Sequence, residues 1–201
     1  MTTATLVALD SPARIIEAAE EVLCRDGFAS ASTRRVARAA GVPLSQIHYH
    51  FGSKRGLMLG VLRHQNGRLI ARQESMYQTD APLWLQWQRA CDHYDEDLAS
   101  GYVRLLQEMI AAGWSDPEIA AEVSAMLDVW TGLLEQVAMR AAALVDYGPL
   151  SPQDVGRLVS AAWLGAEALH LLRPGDARFD LRSTLRNVGG MIRDAEERRA
   201  S

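Results

Sequence analysis

The side chains best equipped for recognition chemistry in this chain lie between Ser32 and Lys54, in STRRVARAAGVPLSQIHYHFGSK. Arg34, Ser45, Gln46 and Tyr49 carry a guanidinium, a small hydroxyl, a primary amide and a phenol. Such groups can read base edges in a DNA groove: arginine pairs twice with guanine, glutamine with adenine, and a hydroxyl with either. Ser32, Thr33, His48, His50 and Lys54 supply short or cationic donors suited to phosphate oxygens. Lys54 stands out because the other 20 basic residues are all arginines. It follows Ser53, a good helix cap, and the free N–H groups at a helix start favour an anion.

These groups act together only if two short helices hold them. The pattern predicts helices over about 32–39 and 44–50, joined by a tight turn at Ala40-Gly41-Val42, where Gly41 supplies a positive φ. Val36, Ala37, Ala40, Val42, Ile47 and Phe51 would then face inward, against Phe28 and a preceding helix. Two helices joined in this way are a device for seating a helix in the major groove. A plain helical hairpin with a solvated arginine face fits the same pattern.

The remainder reads as all-α, about nine helices in total. Ser11-Pro12 and Ser151-Pro152 each place a capping serine before proline, and Ser115-Asp116-Pro117-Glu118 has capping-box spacing. Breaks fall at Thr79–Pro82, Ser100-Gly101, Gly113, Tyr147–Pro149 and Arg173–Asp176. The predicted helices are 11–26, closed by Gly27, the two above, then 53–76, 82–99, 101–112, 116–146, 152–173 and 180–196. Apolar residues from Ile119 to Leu144 recur at three- and four-residue steps, the mark of a long amphipathic helix. The expected organisation is a disordered N-terminus over 1–10, a helical DNA-binding domain over 11–56 and a helical domain over 57–201. The last residues, 197–201, are also expected to be disordered.

Charge supports that division. Residues 1–72 hold ten Lys/Arg and five Asp/Glu, a balance of +5, and the other 129 residues hold eleven and twenty, a balance of −9. A basic head on an acidic body fits a protein that offers one surface to nucleic acid. Cys24 and Cys91 are far apart and sit in helical patterns, so reduced thiols are expected. The N-terminus lacks the basic and apolar stretches of a secretory signal, and no long apolar run suits a membrane span. A cytoplasmic protein without membrane association is therefore expected. His93 and Asp97 share a helix face, but an acidic solvated surface explains them better than a metal site. Nothing calls for a metal, a cofactor or a catalytic residue.

Tryptophans cluster in the second part. Trp84, Trp87, Trp114 and Trp130, with Tyr94, Met109 and Met126, could enclose a small-molecule cavity, with Gln107 and His170 as polar anchors. The same residues could equally form an ordinary core. Gly156, Ser160, Ala161, Gly165 and Ala168 put small residues along one helix, and Leu181, Leu185, Val188 and Ile192 recur at heptad-like spacing on the next. Together these suggest a four-helix dimer interface, two helices from each chain.

Residues 12–62 resemble the DNA-binding domain of the TetR family of bacterial transcriptional regulators. The resemblance is carried by Ile15, Ala18-Ala19, Leu23 and Gly27-Phe28, then Ser32-Thr33-Arg34, Val36-Ala37 and Ala40-Gly41-Val42. It continues through Ile47-His48-Tyr49-His50-Phe51, Ser53-Lys54 and Leu57. It implies that 44–50 is the recognition helix, with Arg34, Ser45, Gln46 and Tyr49 at bases and Thr33, His48, His50 and Lys54 on the backbone. Pro43 and Leu44 depart from the family pattern, which often has a capping serine and then a polar residue there. The resemblance further implies a homodimeric repressor, released from a palindromic operator by a small apolar or amphipathic effector. Control by a protein partner is an alternative, and an all-α enzyme using His93, Glu108 or His170 is a remote one.

Overall fold

The structure, a computed structural model, describes residues 11–176, 178 and 181–200. The described residues form nine α-helices and no strand: α1 (Ser11–Ser30), α2 (Thr33–Ala40), α3 (Leu44–Phe51), α4 (Lys54–Tyr77), α5 (Leu83–Ser100), α6 (Tyr102–Gly113), α7 (Pro117–Ala141), α8 (Pro152–Leu172) and α9 (Arg182–Ala200). They divide into two compact units, Met1–Gln65 and Asn66–Ser201, with α4 contributing residues to both. The expectations for residues 1–10 and for the Phe28 side chain lie outside the described residues.

In the first unit α1, α2 and α3 pack on one another. Ile15, Ala19, Val22, Val36 and Ile47 are fully buried or nearly so, which accounts for the apolar spacing of these helices. Gly27 kinks α1 rather than ending it: at φ 75 and ψ 167 it interrupts the helix, and one further turn runs to Ser30. A turn of helix resumes after the kink because Ala31 donates its N–H to the Gly27 carbonyl at 3.2 Å.

The second unit is organised around two helix pairings, α7 along α8 and α5 along α9, with α6 touching α5, α7 and α8. Gly156 lets α8 lie directly on α7, since a Cβ there would stand 2.7 Å from Glu135 Cα. α9 is fastened to α5 by polar bonds: Trp87 Nε1 donates to Leu185 O at 2.6 Å, and Gln88 donates to Arg186 O at 2.9 Å. The Arg186 guanidinium meets Asp92 and Asp95 at 2.8 and 2.7 Å. Glu196 of α9 also accepts the Leu83 and Trp84 N–H groups at 2.9 and 3.1 Å. It thereby caps a helix whose own N-cap, Pro82, offers no side-chain acceptor.

Three further sequence-derived boundaries change. Asp116, not Ser115, caps α7, accepting from Glu118 and Ile119 N–H at 3.1 and 3.3 Å. α7 ends at Ala141 instead of 146, because the chain tightens into three-residue turns there and Tyr147 folds back to donate to Ala138 O at 3.0 Å. Residues 197–200, expected to be disordered, continue α9.

Candidate nucleic-acid interface and interior cavities

The α2–α3 turn is built as its sequence predicts. Ser32, in extended conformation, caps α2 by accepting from Arg35 N–H at 3.3 Å. Gly41 takes φ 63 and ψ 35, and the Val42 N–H then reaches back to Ala37 O at 3.0 Å, a left-handed helix stop. α3 opens without a capping side chain: Pro43 stands at its N-cap, and Gln46 N–H bonds Pro43 O at 3.0 Å. Ile47 is the anchor of α3, fully buried. The bends after α3 are fixed by Ser53, whose Oγ accepts the Gly56 N–H at 3.0 Å. Gly56 admits no side chain, since a Cβ there would collide with the Phe51 carbonyl oxygen.

Anchoring of the inner face leaves the polar groups outward. Arg34, Ser45 and His48 are exposed, Gln46, Thr33, His50 and Lys54 half-buried, Ser32 exposed, and Tyr49 is 82% exposed. An aromatic residue left this bare at the surface of a unit with a closed core is better explained by a partner than by packing. Tyr49 stands edge-on to His50, ring centroids 4.9 Å apart, and His48 Nδ1 lies 3.3 Å from Gly52 O. Leu44 is half-buried and Pro43 exposed.

A signal that the motif reading left unused strengthens the electrostatic case. No acidic residue occurs between Asp26 and Glu74, while 27–65 carries Arg34, Arg35, Arg38, Lys54, Arg55 and Arg63. Arg35 pairs with Asp26 at 3.3 Å, and Arg35, Arg38 and Arg55 are all exposed. A stretch of this length without a carboxylate presents an uninterrupted positive field to phosphate.

Two interior spaces of the second unit bear on ligand binding. One, of about 30 Å³, is bounded by α4, α5, α6, α7 and α8 and lined by residues that include Tyr94, Asp97, Tyr102, Met126, Trp130, Trp163 and Glu167. The other, of about 180 Å³, is lined by Tyr77, Trp87, Val137, Val145, Tyr147, Val159, Val188 and Ile192 among others. The polar atoms of Trp87 and Tyr147 are bonded to backbone carbonyls, which leaves this larger cavity with an apolar wall. Trp163 stands edge-to-face with both Tyr94 and Trp87, centroids 5.4 and 5.8 Å away, so one aromatic stack links the two linings.

The sequence-derived pocket residues separate accordingly. Tyr94, Met126 and Trp130 line the smaller cavity and Trp87 the larger. Gln107 touches the smaller one through its bond to Glu167 at 3.1 Å. Met109 is buried core, and Trp84 lies under the Arg193 guanidinium, 6.0 Å from its ring centre. His170 is half-buried and lines neither space. Trp114 is corrected outright: it stands at the C-cap of α6 with 83% of its surface exposed, just past Gly113, which packs closely on Ala120 of α7. Sequence reasoning passed over Trp163, Asp97 and Glu167. The available signal was a single acid inside the apolar run Trp163–Leu169.

The proposed association residues also divide. Gly156 and Ser160 are used within the chain, Ser160 bonding Thr131 of α7 at 3.0 Å. Leu185 and Val188 belong to the α5-facing side, Val188 and Ile192 lining the larger cavity, and Leu181 is half-buried before α9. Val188 and Ile192 of the heptad-like stripe thus face the larger cavity, beside Leu83 and Trp87 of α5. Ala161 and Gly165 are exposed, Ala168 half-buried, and with Leu158 and Leu172 they form an outward apolar stripe on α8.

Comparison with known proteins agrees with this geometry. The model of a family described as bacterial regulatory proteins, tetR family, matches residues 15–61. The transcriptional regulator UidR of Escherichia coli K12 is 25% identical over 145 residues, 69% of this chain and 68% of that one. A TetR transcription regulator from Haloarcula marismortui superposes with a TM-score of 0.74 at 16% identity, covering 92% of this chain and 97% of that one. A putative transcriptional regulator from Saccharomonospora viridis, solved in complex with choline, gives 0.74 at 19% identity, covering 88% and 94%. At such identities the structural likeness shows the fold, while the match over α1 to α4 lies on the helices that carry the outward donors. Residues 15–61 thus match the tetR family of bacterial regulatory proteins, and the chain is similar to helix-turn-helix regulators of transcription.

Proposed function

We propose that the protein is a homodimeric repressor that reads a palindromic operator through α3 and leaves it when a small molecule occupies the second unit. The observation that carries this reading is the bare face of α2 and α3, with Arg34, Ser45 and Tyr49 outward above the buried Ile47. In this reading Arg34, Ser45, Gln46 and Tyr49 contact bases, and Ser32, Thr33, His48, His50 and Lys54 contact phosphates. Dimerisation through the apolar stripe of α8, with Met191 of α9 (71% exposed), would set two α3 helices about 34 Å apart, one turn of DNA.

α4 is the route for ligand control. It supplies buried Leu57, Val61 and Leu62 to the first unit and lines the smaller cavity with Asn66, Leu69 and Gln73. A ligand that fits better when α4 is displaced favours the non-binding state, and a coupling of about 1–3 kcal/mol is sufficient. A structural neighbour solved with choline supports a small-molecule role for this fold.

Fluorescence anisotropy on an operator selected from random DNA tests the reading. Lys54→Ala should weaken binding to every sequence and lower the salt slope by about one per site. Arg34→Ala and Gln46→Ala should each cost about 1–3 kcal/mol on the selected site and relax its sequence preference. If all three variants act equally on selected and random DNA, the assignment of roles fails. If no palindrome is selected, so does the operator.

A further inference from the structure

We infer that the smaller cavity of the second unit receives a small organic cation, held by the Glu167 carboxylate within a cage of aromatic rings. This rests on the reading that a small molecule controls the regulator, and it adds the charge of that molecule.

Glu167 sits toward the C-terminal end of α8, only 6% exposed, on the cavity wall. Its hydrogen-bond donor is uncharged, Gln107 Nε2 of α6, at 3.1 Å. Among the described residues no arginine, lysine or histidine pairs with it. The other acid on the wall, Asp97 of α5, is already matched: Arg72 of α4 bonds both of its oxygens, at 2.9 and 2.8 Å. Asp97 therefore offers Glu167 no relief, and its charge acts against ionisation of Glu167. Tyr102 of α6 also faces this group, and its hydroxyl is held neutral by burial. Burial, the larger cause, pushes the Glu167 carboxyl up to about 7. An ionised Glu167 thus lacks a counter-charge inside the protein, the situation a bound cation resolves.

The rest of the wall suits the same guest. Tyr94, Tyr102, Trp130 and Trp163 line the space. Tyr102 donates its hydroxyl to Asn66 at 3.1 Å, and Trp130 donates Nε1 to Gln73 at 3.1 Å. With those polar atoms committed, the residues offer the cavity ring surface, which attracts ammonium groups within about 6 Å of a ring centre. A volume of about 30 Å³ admits a group the size of a water molecule or an ammonium head. A bulkier head must displace Met126, whose unbranched side chain can give way. An anionic guest would meet Glu167 directly, and a neutral one gains nothing from its charge.

Isothermal titration of the full chain without DNA, at about pH 8 so that Glu167 is ionised, tests the inference. The probes are propylammonium and tetramethylammonium chlorides, each against a neutral alcohol of matching size, 1-butanol and tert-butanol. At least one cation should bind saturably and at least about tenfold more tightly than its alcohol, and weaken about tenfold or more toward pH 5. Glu167→Gln should abolish the preference for the cation, and Trp130→Leu should lower cation affinity with Glu167 intact. Equal binding of alcohols and cations, binding unaltered by pH and by Glu167→Gln, or binding of neither cation overturns the inference. Operator binding is measured separately. A neutral effector that releases DNA would leave the regulator reading standing and remove the cation. A bound cation that leaves operator affinity unchanged would do the reverse.

Discussion

Glu167 shows how much a single residue's role depends on its surroundings. The carboxyl is raised to about 7, from its usual 4.5, chiefly by burial. Between those values the folded protein keeps a proton that the unfolded chain has released, so stability falls as pH rises through this interval. The full cost, about 3 kcal/mol, is present above pH 7. Glu167→Gln should therefore flatten the pH dependence of urea unfolding between about pH 5 and 8, and raise stability at the upper end. An unchanged slope would show that another group carries it. Asp97 is raised in the same direction by burial, which Arg72 opposes, and it titrates with the same sign. In sequence Glu167 is one acid among 25 acidic residues, whereas the outward placement of Arg34 near buried Val36, and of Tyr49 near buried Ile47, follows from helical spacing. Outward positions follow from helical period once one anchor is known. A buried charge is defined by neighbours from other helices, which no local pattern reveals.

At the scale of elements, caps and breakers located the helices. Ser32, Gly41, Ser53 and Ser151 each do in the structure what their types predict, Ser151 forming a reciprocal capping box with Asp154. Elsewhere a tertiary contact supplies what the local signal lacks. α5 begins after Pro82 with no side-chain cap of its own, and Glu196, more than a hundred residues away, supplies the acceptor. Glu196→Ala should lower global stability by about 1–2 kcal/mol, read as a shift in the urea midpoint. A shift no larger than that of an exposed neighbour such as Glu197→Ala would show that water caps α5 equally well. Gly156, expected on an association surface, is a close-approach position under Glu135 of α7, and Gly189 is another, under Gln88 of α5.

For the whole molecule, the decisive surface is the α8 stripe. Leu158 and Leu172 are 58% and 76% exposed, an apolar display that a monomer does not need. In the proposed dimer, Leu158→Glu should give a monomer in analytical ultracentrifugation, with helix content retained, and weaken operator binding because one chain reads a single half-site. A variant that stays dimeric would move the interface elsewhere. By itself the sequence determined the all-α class, the helix-turn-helix and its outward donors, because helical period, caps and turn glycines act over a few residues. Only the tertiary structure decided which α8 residues face α7 and which face out, that the α9 stripe turns toward α5, and that Glu167 shares a cavity with four aromatic rings. Those outcomes depend on which helix lies against which face, a choice among apolar surfaces that periodicity leaves open.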